Sequence, residues 1–340
     1  MKTSIEYRDP LELSEELAKL GQLTKITQLE GGSGFYTMQA ANTNKVALAE
    51  ISANKTLLYE GWGNGITIDF NWITPKANTQ GAFGYCDGFK MTKNSLAGFG
   101  TINSVPGNAW GKYNNECSST GCMLEKQLLF ELLENCKAYD GLERLTGDQG
   151  IYCNNKALNQ LKRLAAREVS AGIQNPEKYF DLVIACLEEP MTDQNSQDPK
   201  HIDQLREIIN LAHSEKTMES PLSLLEVCKY INTSQASLYR ICQEYFGMGI
   251  IELMTQIRLE ESRRIMLNQD ARRKLNLYSI RDIAIKYGFK HQGRYARRYY
   301  TAFGELPSQT IEKSRRYRSV SYTHLRAHET KANLVCRLLL

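Results

Sequence analysis

The stretch Ser279-Ile-Arg-Asp-Ile-Ala-Ile-Lys-Tyr-Gly-Phe289 repeats the pattern of Ser223-Leu-Leu-Glu-Val-Cys-Lys-Tyr-Ile-Asn232 at a spacing of 56 residues. Both begin with Ser followed three residues later by Asp or Glu, which is the capping box that starts a helix. The small Ala or Cys in the middle of each lets a second helix cross closely. The Gly or Asn four residues later tolerates the positive φ of a sharp turn. Each stretch therefore predicts a helix, a tight turn and the start of another helix.

Each turn leads into a second helix whose inward side is apolar. The inward positions are Leu238, Ile241 and Cys242 in the first copy and Tyr295, Tyr299 and Phe303 in the second. Phe246-Gly247 recurs as Phe303-Gly304, and a Gly at this point ends a helix well. A helix over about 250–268 joins the copies. One such pattern occurs in many three-helix bundles, but two copies in register predict tandem helix-turn-helix units.

Residues 222–313 resemble the paired DNA-binding domain of the AraC family of transcription regulators. The linker sequence Arg258-Leu259-Glu260 and residues 283–308 carry the resemblance most clearly. Within the family, His291-Gln-Gly-Arg-Tyr295 and Gly304-Glu-Leu-Pro-Ser308 are similar to regulators of the ethanolamine-operon type. The rest of the chain is only compatible with the sensor half of such a regulator.

The resemblance implies that residues 234–245 and 291–301 are recognition helices entering successive major grooves, roughly 34 Å apart. The outward positions that would meet DNA are Gln235, Ala236, Tyr239 and Arg240 in the first helix and Lys290, His291, Gln292, Arg294, Arg297 and Arg298 in the second. Arg240 and Arg294 can form two hydrogen bonds to guanine. For each Arg the alternatives are a phosphate contact, which we favour for Arg298, and a solvated charge. Residues 272–274 and 315–316 are candidates for backbone contacts.

The charge of the chain is unevenly distributed. Residues 1–200 carry 19 basic and 24 acidic side chains, whereas residues 271–318 carry 13 basic and 3 acidic ones. A basic excess this dense is expected of a protein that binds the phosphate backbone. On charge alone, a solvated basic face is an equally good interpretation.

The fold class that the sequence predicts is α+β. Residues 46–51, 66–72 and 96–102 are β-prone runs separated by Gly, Asn and Pro, and the second alternates apolar and polar residues. Amphipathic patterns predict helices over 11–20, 123–136, 156–170 and 177–187. Residues 1–190 are therefore interpreted as a β-rich effector-sensing or dimerisation domain with flanking helices, and 201–318 as the all-α tandem helix-turn-helix domain.

Two segments fall outside these domains. Residues 191–200 are polar and are interpreted as the linker. From about Ser319 the resemblance stops, and residues 321–330 look like translated sequencing-adapter read-through. We expect residues 319–340 to be non-native and leave them out of functional reasoning.

The sequence argues against an enzyme. All five histidines lie after residue 200, which excludes a His-based metal centre or a Ser-His or Cys-His nucleophilic pair confined to the N-terminal domain. Gly31-Gly32-Ser33-Gly34 lacks the Lys of a phosphate-binding loop. We expect no cofactor, no metal and reduced cysteines. The alternatives are a DNA-binding module with an inert N-terminal domain and, much less favoured, a β-domain enzyme fused to a DNA-binding domain.

The expected partner is double-stranded DNA at a promoter or operator. A small-molecule effector, a homodimer partner and, for an activator, RNA polymerase are candidate partners. Aromatic residues of the N-terminal domain are candidates either for its core or for an effector pocket: Phe35, Tyr36, Trp62, Phe70, Trp72, Phe83, Tyr85, Phe89 and Trp110. The leucines of 123–136 could form a dimer interface or pack on their own domain. A polar N-terminus and the lack of an apolar run of 18 residues predict a cytoplasmic protein.

Overall fold

The computed structural model describes residues 5–63, 66–73, 84–99, 109–113, 116–148, 150–191 and 201–314. The chain divides into two compact units. The first comprises Met1–Ile26 and Gly34–Ile202, and the second comprises Thr27–Ser33 and Asp203–Leu340. No helix within the described ranges has the length and apolar character that a membrane span requires.

The strands form two antiparallel sheets. In chain order they are β1 Ile5–Tyr7, β2 Gln22–Gln28, β3 Tyr36–Asn42, β4 Val46–Ala53, β5 Leu57–Gly63, β6 Ile66–Ile73, β7 Gly84–Cys86, β8 Phe89–Met91, β9 Ser95–Ala97, β10 Ala109–Tyr113, β11 Cys117–Leu124 and β12 Gly150–Tyr152. Within the described residues one sheet has the order β1-β3-β4-β11-β6-β9-β12 and the other β2-β5-β10-β7-β8. The predicted strands at 46–51 and 66–72 are confirmed as β4 and β6. Of the predicted run at 96–102, Leu96 and Ala97 lie in β9, Gly98 and Phe99 lie outside it, and residues 100–102 lie outside the described ranges.

The helices of the first unit are α1 Pro10–Lys19, α2 Lys126–Asn135, α3 Tyr139–Gly147, α4 Lys156–Ala171 and α5 Glu177–Glu188. Local capping explains several of their starts. Asp9 accepts a hydrogen bond from Leu11 N at 2.9 Å, and Asn155 accepts one from Leu158 N at 2.9 Å. The period-2 alternation of the larger sheet gives it two apolar faces. On β6, Ile66, Ile68 and Phe70 pack into the core shared with α2–α5.

The helix expected over 123–136 begins later than predicted. Met123 and Leu124 continue β11, where they pair with β4 and β6, so α2 starts only at Lys126. Its inward leucines, Leu129 and Leu133, are fully buried in the core of the first unit. The leucine stripe therefore packs on its own domain, which removes the surface argument for a dimer interface on this helix.

The second unit consists of helices and one short N-terminal segment. Its helices are α6 Ile202–His213, α7 Glu215–Glu219, α8 Leu224–Tyr230, α9 Gln235–Phe246, α10 Ile250–Leu267, α11 Gln269–Lys274, α12 Ile280–Lys286, α13 Gln292–Phe303 and α14 Pro307–Ser314. The central helix α10 is buried on nearly every side from Ile257 to its end. With the two sheets of the first unit, these helices confirm the α+β fold class.

Candidate nucleic-acid interface

The first helix-turn-helix is formed by α8 and α9. The predicted capping box is present: Ser223 N donates to Glu226 Oε2 at 2.7 Å, and Glu226 N donates to Ser223 Oγ. This reciprocal bonding lowers the pKa of the Glu226 carboxyl. Asn232 makes the turn with φ +51°, and Ser234 caps α9 by accepting a hydrogen bond from Ser237 N at 3.1 Å. Local sequence therefore fixes both ends of this motif.

The inward face of α9 is apolar and its outward face is polar. Leu238, Ile241 and Cys242 are buried, as the sequence predicted. The four outward candidates on α9 are all exposed: Gln235, Ala236, Tyr239 and Arg240. Tyr239 is a large ring with 63% of its surface exposed. The four side chains form a surface with the mixed hydrogen-bonding and apolar character that base edges require.

The second helix-turn-helix is formed by α12 and α13. Ser279 and Asp282 form its capping box, and Gly288 makes the turn with φ +75°. The inward residues of α13 are tyrosines whose hydroxyl groups are bonded inside the unit. Tyr295 Oη lies 2.9 Å from Ser262 Oγ of α10, and Tyr299 Oη lies 2.7 Å from Thr310 Oγ1 of α14. These bonds fix the rotation of α13 about its axis.

A charged cluster next to these tyrosines holds α10, α13 and α14 together. Arg263 Nη2 donates to Glu305 Oε1 at 3.2 Å, and its guanidinium stacks on the ring of Phe303 with 4.6 Å to the centroid. Glu305 also accepts from Thr310 and pairs with Lys313. Burial raises the pKa of Glu305, but these donors outweigh it and the pKa is lowered. The Glu305 carboxylate is thus stabilised in its charged form just after the carboxyl end of α13.

Arg258 of α10 is a structural residue of the same kind. It is buried, its Nε donates to Met254 O at 3.2 Å, and its guanidinium lies 5.1 Å from the centre of the Phe289 ring. Burial, followed by the charge of Arg298, lowers the pKa of Arg258 to about 10. The Arg that marks the linker helix in sequence therefore packs inside the unit.

The six outward candidates of the second motif are all exposed: Lys290, His291, Gln292, Arg294, Arg297 and Arg298. Arg294, Arg297 and Arg298 are spaced three and four residues apart, so their guanidinium groups share one side of α13. None of the three forms an ion pair with another described residue. Like charges this close repel one another, and a bound polyanion would relieve that repulsion.

The basic residues before α12 divide into two kinds. Arg273 and Lys274 are exposed, as expected for backbone contacts. Arg272 is instead half-buried, and its Nη2 donates to Ser314 Oγ at 3.0 Å. Burial lowers the pKa of Arg272, with Arg273 adding to the effect. Residues 315 and 316, the other backbone candidates, lie outside the described residues.

The segment Thr27–Ser33, which we call the strap, lies against the carboxyl end of α13. Gly32 N donates to Thr301 O at 3.0 Å, and Gln28 Nε2 donates to Ala302 O at 3.2 Å. Both carbonyls belong to the last turn of the helix, where backbone oxygens have no partner within the helix. A Cβ at Gly31 would lie 2.7 Å from Thr301 O, so only glycine allows this approach.

Sequence reasoning missed the residues that support α13. The hydroxyl groups of Ser262 and Thr310 meet the tyrosines of α13 only when α10, α13 and α14 pack together. A single Ser or Thr in the sequence does not predict such a contact. The strap was noted only as a glycine-rich run that is not a phosphate loop. Its glycines were the available signal, since they permit a close backbone approach.

Among the described residues, no group of three or more His, Cys, Asp or Glu is arranged to hold a metal ion. Tyr36 and Phe70 are core residues. The side chains of Trp62, Trp72, Phe83 and Trp110 lie outside the described set. The five described candidates do not line the cavity of the first unit described below: Phe35, Tyr36, Phe70, Tyr85 and Phe89.

Comparison with known proteins points to the C-terminal region. A family described as a helix-turn-helix domain matches residues 227–313. The XylDLEGF operon transcriptional activator of Pseudomonas putida is 32% identical over 102 residues, which are 30% of this chain and 30% of that protein. The Msm operon regulatory protein of Streptococcus mutans is 26% identical over 136 residues, or 39% of this chain and 45% of that protein. The chain thus spans less than half the length of either relative.

Two solved structures complete the comparison. An AraC-type transcriptional regulator from Chromobacterium violaceum is 22% identical and covers 33% of this chain and 92% of its own, with a TM-score of 0.29. ToxT from Vibrio cholerae is 12% identical and covers 86% of this chain and 98% of its own, with a TM-score of 0.31. TM-scores this low do not establish that the chains share a shape. The match of residues 227–313 to the helix-turn-helix family is therefore the similarity that indicates function.

Proposed function

We propose, from the AraC-type helix-turn-helix domain that residues 227–313 form, that this chain is a sequence-specific DNA-binding transcription regulator and not an enzyme. The observation that carries the proposal is the construction of α13. Its inward tyrosines are bonded to Ser262 and Thr310, while Arg294, Arg297 and Arg298 project outward without an ion-pair partner among the described residues. A rigidly held helix with free guanidinium groups is suited to the major groove.

The exposed residues divide by position into base readers and backbone contacts. Arg294 lies in the first turn of α13, and Arg240 lies on the outward side of α9, so we assign both to guanine edges. Gln235, Ala236, Tyr239, Lys290, His291, Gln292 and Arg297 are the remaining candidates for the grooves. Arg298, Arg273 and Lys274 are assigned to phosphates.

The first unit is the proposed sensor. We propose residues 1–190 as an effector-sensing or dimerisation domain, 191–200 as the linker and 201–318 as the DNA-binding domain. The Pseudomonas putida relative carries the name of a transcriptional activator, which supports activation with RNA polymerase as a further partner. A homodimer is also proposed. We propose a cytoplasmic location, where a regulator of this kind would meet chromosomal DNA.

The test separates base reading from charge. Genomic fragments of the source organism are first selected for binding to the full chain, and the selected site is then compared with random DNA of equal length. Arg294→Ala is expected to lose about 1–3 kcal/mol on the selected site and almost nothing on random DNA. The matched control Lys274→Ala should weaken both and reduce the salt slope of binding by about one.

Two results would contradict the proposal. If binding to random DNA does not fall steeply between low and physiological salt, the basic surface does not contact phosphates. If both variants behave alike on selected and random DNA, the division into readers and backbone contacts is wrong. Thermal melts of each variant control for lost folding.

A further inference from the structure

The first unit contains a cavity of about 60 Å³ between α1 and strands of both sheets. Its lining combines apolar side chains, among them Leu17 of α1 and Leu20 at its C-cap, with polar ones. By this measure a water needs roughly 10–15 Å³, so the cavity has room for several waters or one small molecule.

Asp69 is the acidic residue of this cavity, and the sheet is built to hold it there. Alternation on β6 buries Ile68 and Phe70 on the helical side and places Asp69 on the opposite face. Its cross-strand partner on β11 is Gly121, where a Cβ would lie 2.5 Å from Asp69 Oδ1. The missing side chain of Gly121 therefore provides the space that the carboxyl occupies. Tyr113 of β10 donates its hydroxyl to Asp69 Oδ2 at 2.6 Å.

Two further polar atoms of the lining have no hydrogen-bond partner among the described residues. These are Ser119 Oγ and Tyr59 Oη. Ser119 is only 4% exposed, so bulk water does not compensate it. A buried hydroxyl without a partner costs roughly 1–3 kcal/mol, which a bound ligand would recover. The rings of Tyr59 and Tyr113 pack together with centroids 4.6 Å apart beside the acid.

The charge of the lining is one-sided. Among the described residues that line the cavity there is no Lys, Arg or His. The other titratable groups near Asp69 are the phenols of Tyr59 and Tyr113 and the thiols of Cys86 and Cys122, and burial raises the pKa of each, so they stay neutral at physiological pH. Burial also raises the pKa of Asp69 to about 6, against the lowering effect of the Tyr113 hydrogen bond. A carboxylate that lacks a cation in such a site selects for one.

We propose that this cavity binds a small organic cation, an ammonium group with a short apolar chain, with the ammonium on Asp69 and the chain against α1. The carboxylate supplies a charge-assisted hydrogen bond, the aromatic rings attract the cation through their faces, and Ser119 accepts a second donor. The same geometry disfavours carboxylate ligands, because their charge would face Asp69. As the effector of the DNA-binding function this ligand depends on the proposed function, whereas its binding to the cavity does not.

The test uses the full chain and three probes of one size: butylammonium chloride, 1-butanol and sodium butyrate at equal ionic strength. Calorimetry is expected to detect butylammonium and to give no comparable binding of the alcohol or the carboxylate. Asp69→Asn should weaken butylammonium binding roughly ten- to hundredfold, because a hydrogen bond to a charged group is lost. The matched control is Asp181→Asn, the same change at an exposed position of α5, which should leave binding unchanged.

A second variant tests the cavity without removing the carboxylate. Ser119→Val keeps the carboxylate but fills part of the cavity, and it should also abolish binding. Equal binding of all three probes, or unchanged butylammonium affinity in both variants, would overturn the proposal. Failure to bind genomic DNA with butylammonium binding intact would overturn the proposed function and leave the cavity assignment standing. DNA binding without butylammonium binding would do the reverse.

Discussion

The turn of the second helix-turn-helix offers a substitution whose cost can be worked out from its surroundings. Gly288 has φ +75°, and a Cβ built there lies 2.8 Å from Pro221 Cδ and 2.9 Å from Met218 O. Gly247 has nearly the same backbone, φ +71°, but a Cβ there meets no atom within 4 Å. The two glycines therefore separate backbone strain from steric overlap.

Ala at a left-handed position costs about 1–2 kcal/mol, partly offset by about 0.4–1 kcal/mol from a less flexible unfolded chain. Gly247→Ala should thus destabilise the unit by about 1 kcal/mol or less. Gly288→Ala adds the overlap with Pro221 and Met218, and overpacking costs typically 1–3 kcal/mol. We expect a total of about 2–4 kcal/mol. The Asn at the equivalent turn of the first copy, Asn232 with φ +51°, indicates that the backbone conformation alone is tolerable.

Amide hydrogen exchange in the full chain can measure the destabilisation caused by Gly247→Ala and by Gly288→Ala in the helices next to each substitution. The amides of α12 and α13 report the free energy of opening this part of the second unit, independently of the first. Gly288→Ala should lower that free energy more than Gly247→Ala lowers it for α9, and its DNA affinity should fall in parallel. Equal costs at the two glycines would refute the reasoning, because they would mean that Pro221 and Met218 move aside freely.

Three further predictions concern other parts of the chain. Asp69→Asn should stabilise the ligand-free protein by about 2–3 kcal/mol at pH 7. The pKa of Asp69 is about 6 in the folded protein and roughly 4 in the unfolded chain, so the wild type loses stability as the pH rises from 4 to 7 and the Asn variant does not. Denaturation midpoints of the two proteins that differ equally at pH 4 and pH 7 would disprove it. Gln28→Ala should destabilise the second unit by about 1–3 kcal/mol, because the carbonyls of Gly32 and Ala302 lose their hydrogen-bond donor. The control Gln269→Ala, at an exposed position, should change stability very little. Matching melting curves for the two variants would be the contrary result. A 1–190 fragment is expected to fold on its own, because both hydrophobic cores of the first unit are built from its residues; a fragment without a cooperative melting transition would be the contrary result.

The helix-turn-helix units were predictable from sequence because their limits are set locally. Ser223, Ser234 and Ser279 cap helices through residues three positions away, and Gly247 and Gly304 end them in the left-handed conformation. The family resemblance supplied the recognition helices, and helical periodicity then gave the outward positions on them. All ten candidate DNA contacts are exposed, although exposure by itself does not assign a contact to a base or a phosphate.

Features that depend on distant pairing were not predictable. Met123 and Leu124 fit a helical stripe, but pairing with two strands far along the chain places them in β11. Alternation on β6 was recognised, but alternation does not reveal what covers the polar side of the strand. Asp69 faces the cavity, since the second sheet and α1 cover that side. The pairing of Asp69 with Gly121 across β6 and β11 indicates the site, but this pairing can be recognised only when the strand register is known.

The strap makes the second unit discontinuous in the chain. During synthesis Thr27–Ser33 leaves the ribosome well before α13, so two carbonyls of the finished helix depend on a segment made at the opposite end of translation. A truncated protein beginning near residue 201 would contain both helix-turn-helix motifs and still lack the donors at Thr301 and Ala302. Supplying residues 27–33 as a separate peptide should then restore part of the lost stability, in the manner of fragment complementation.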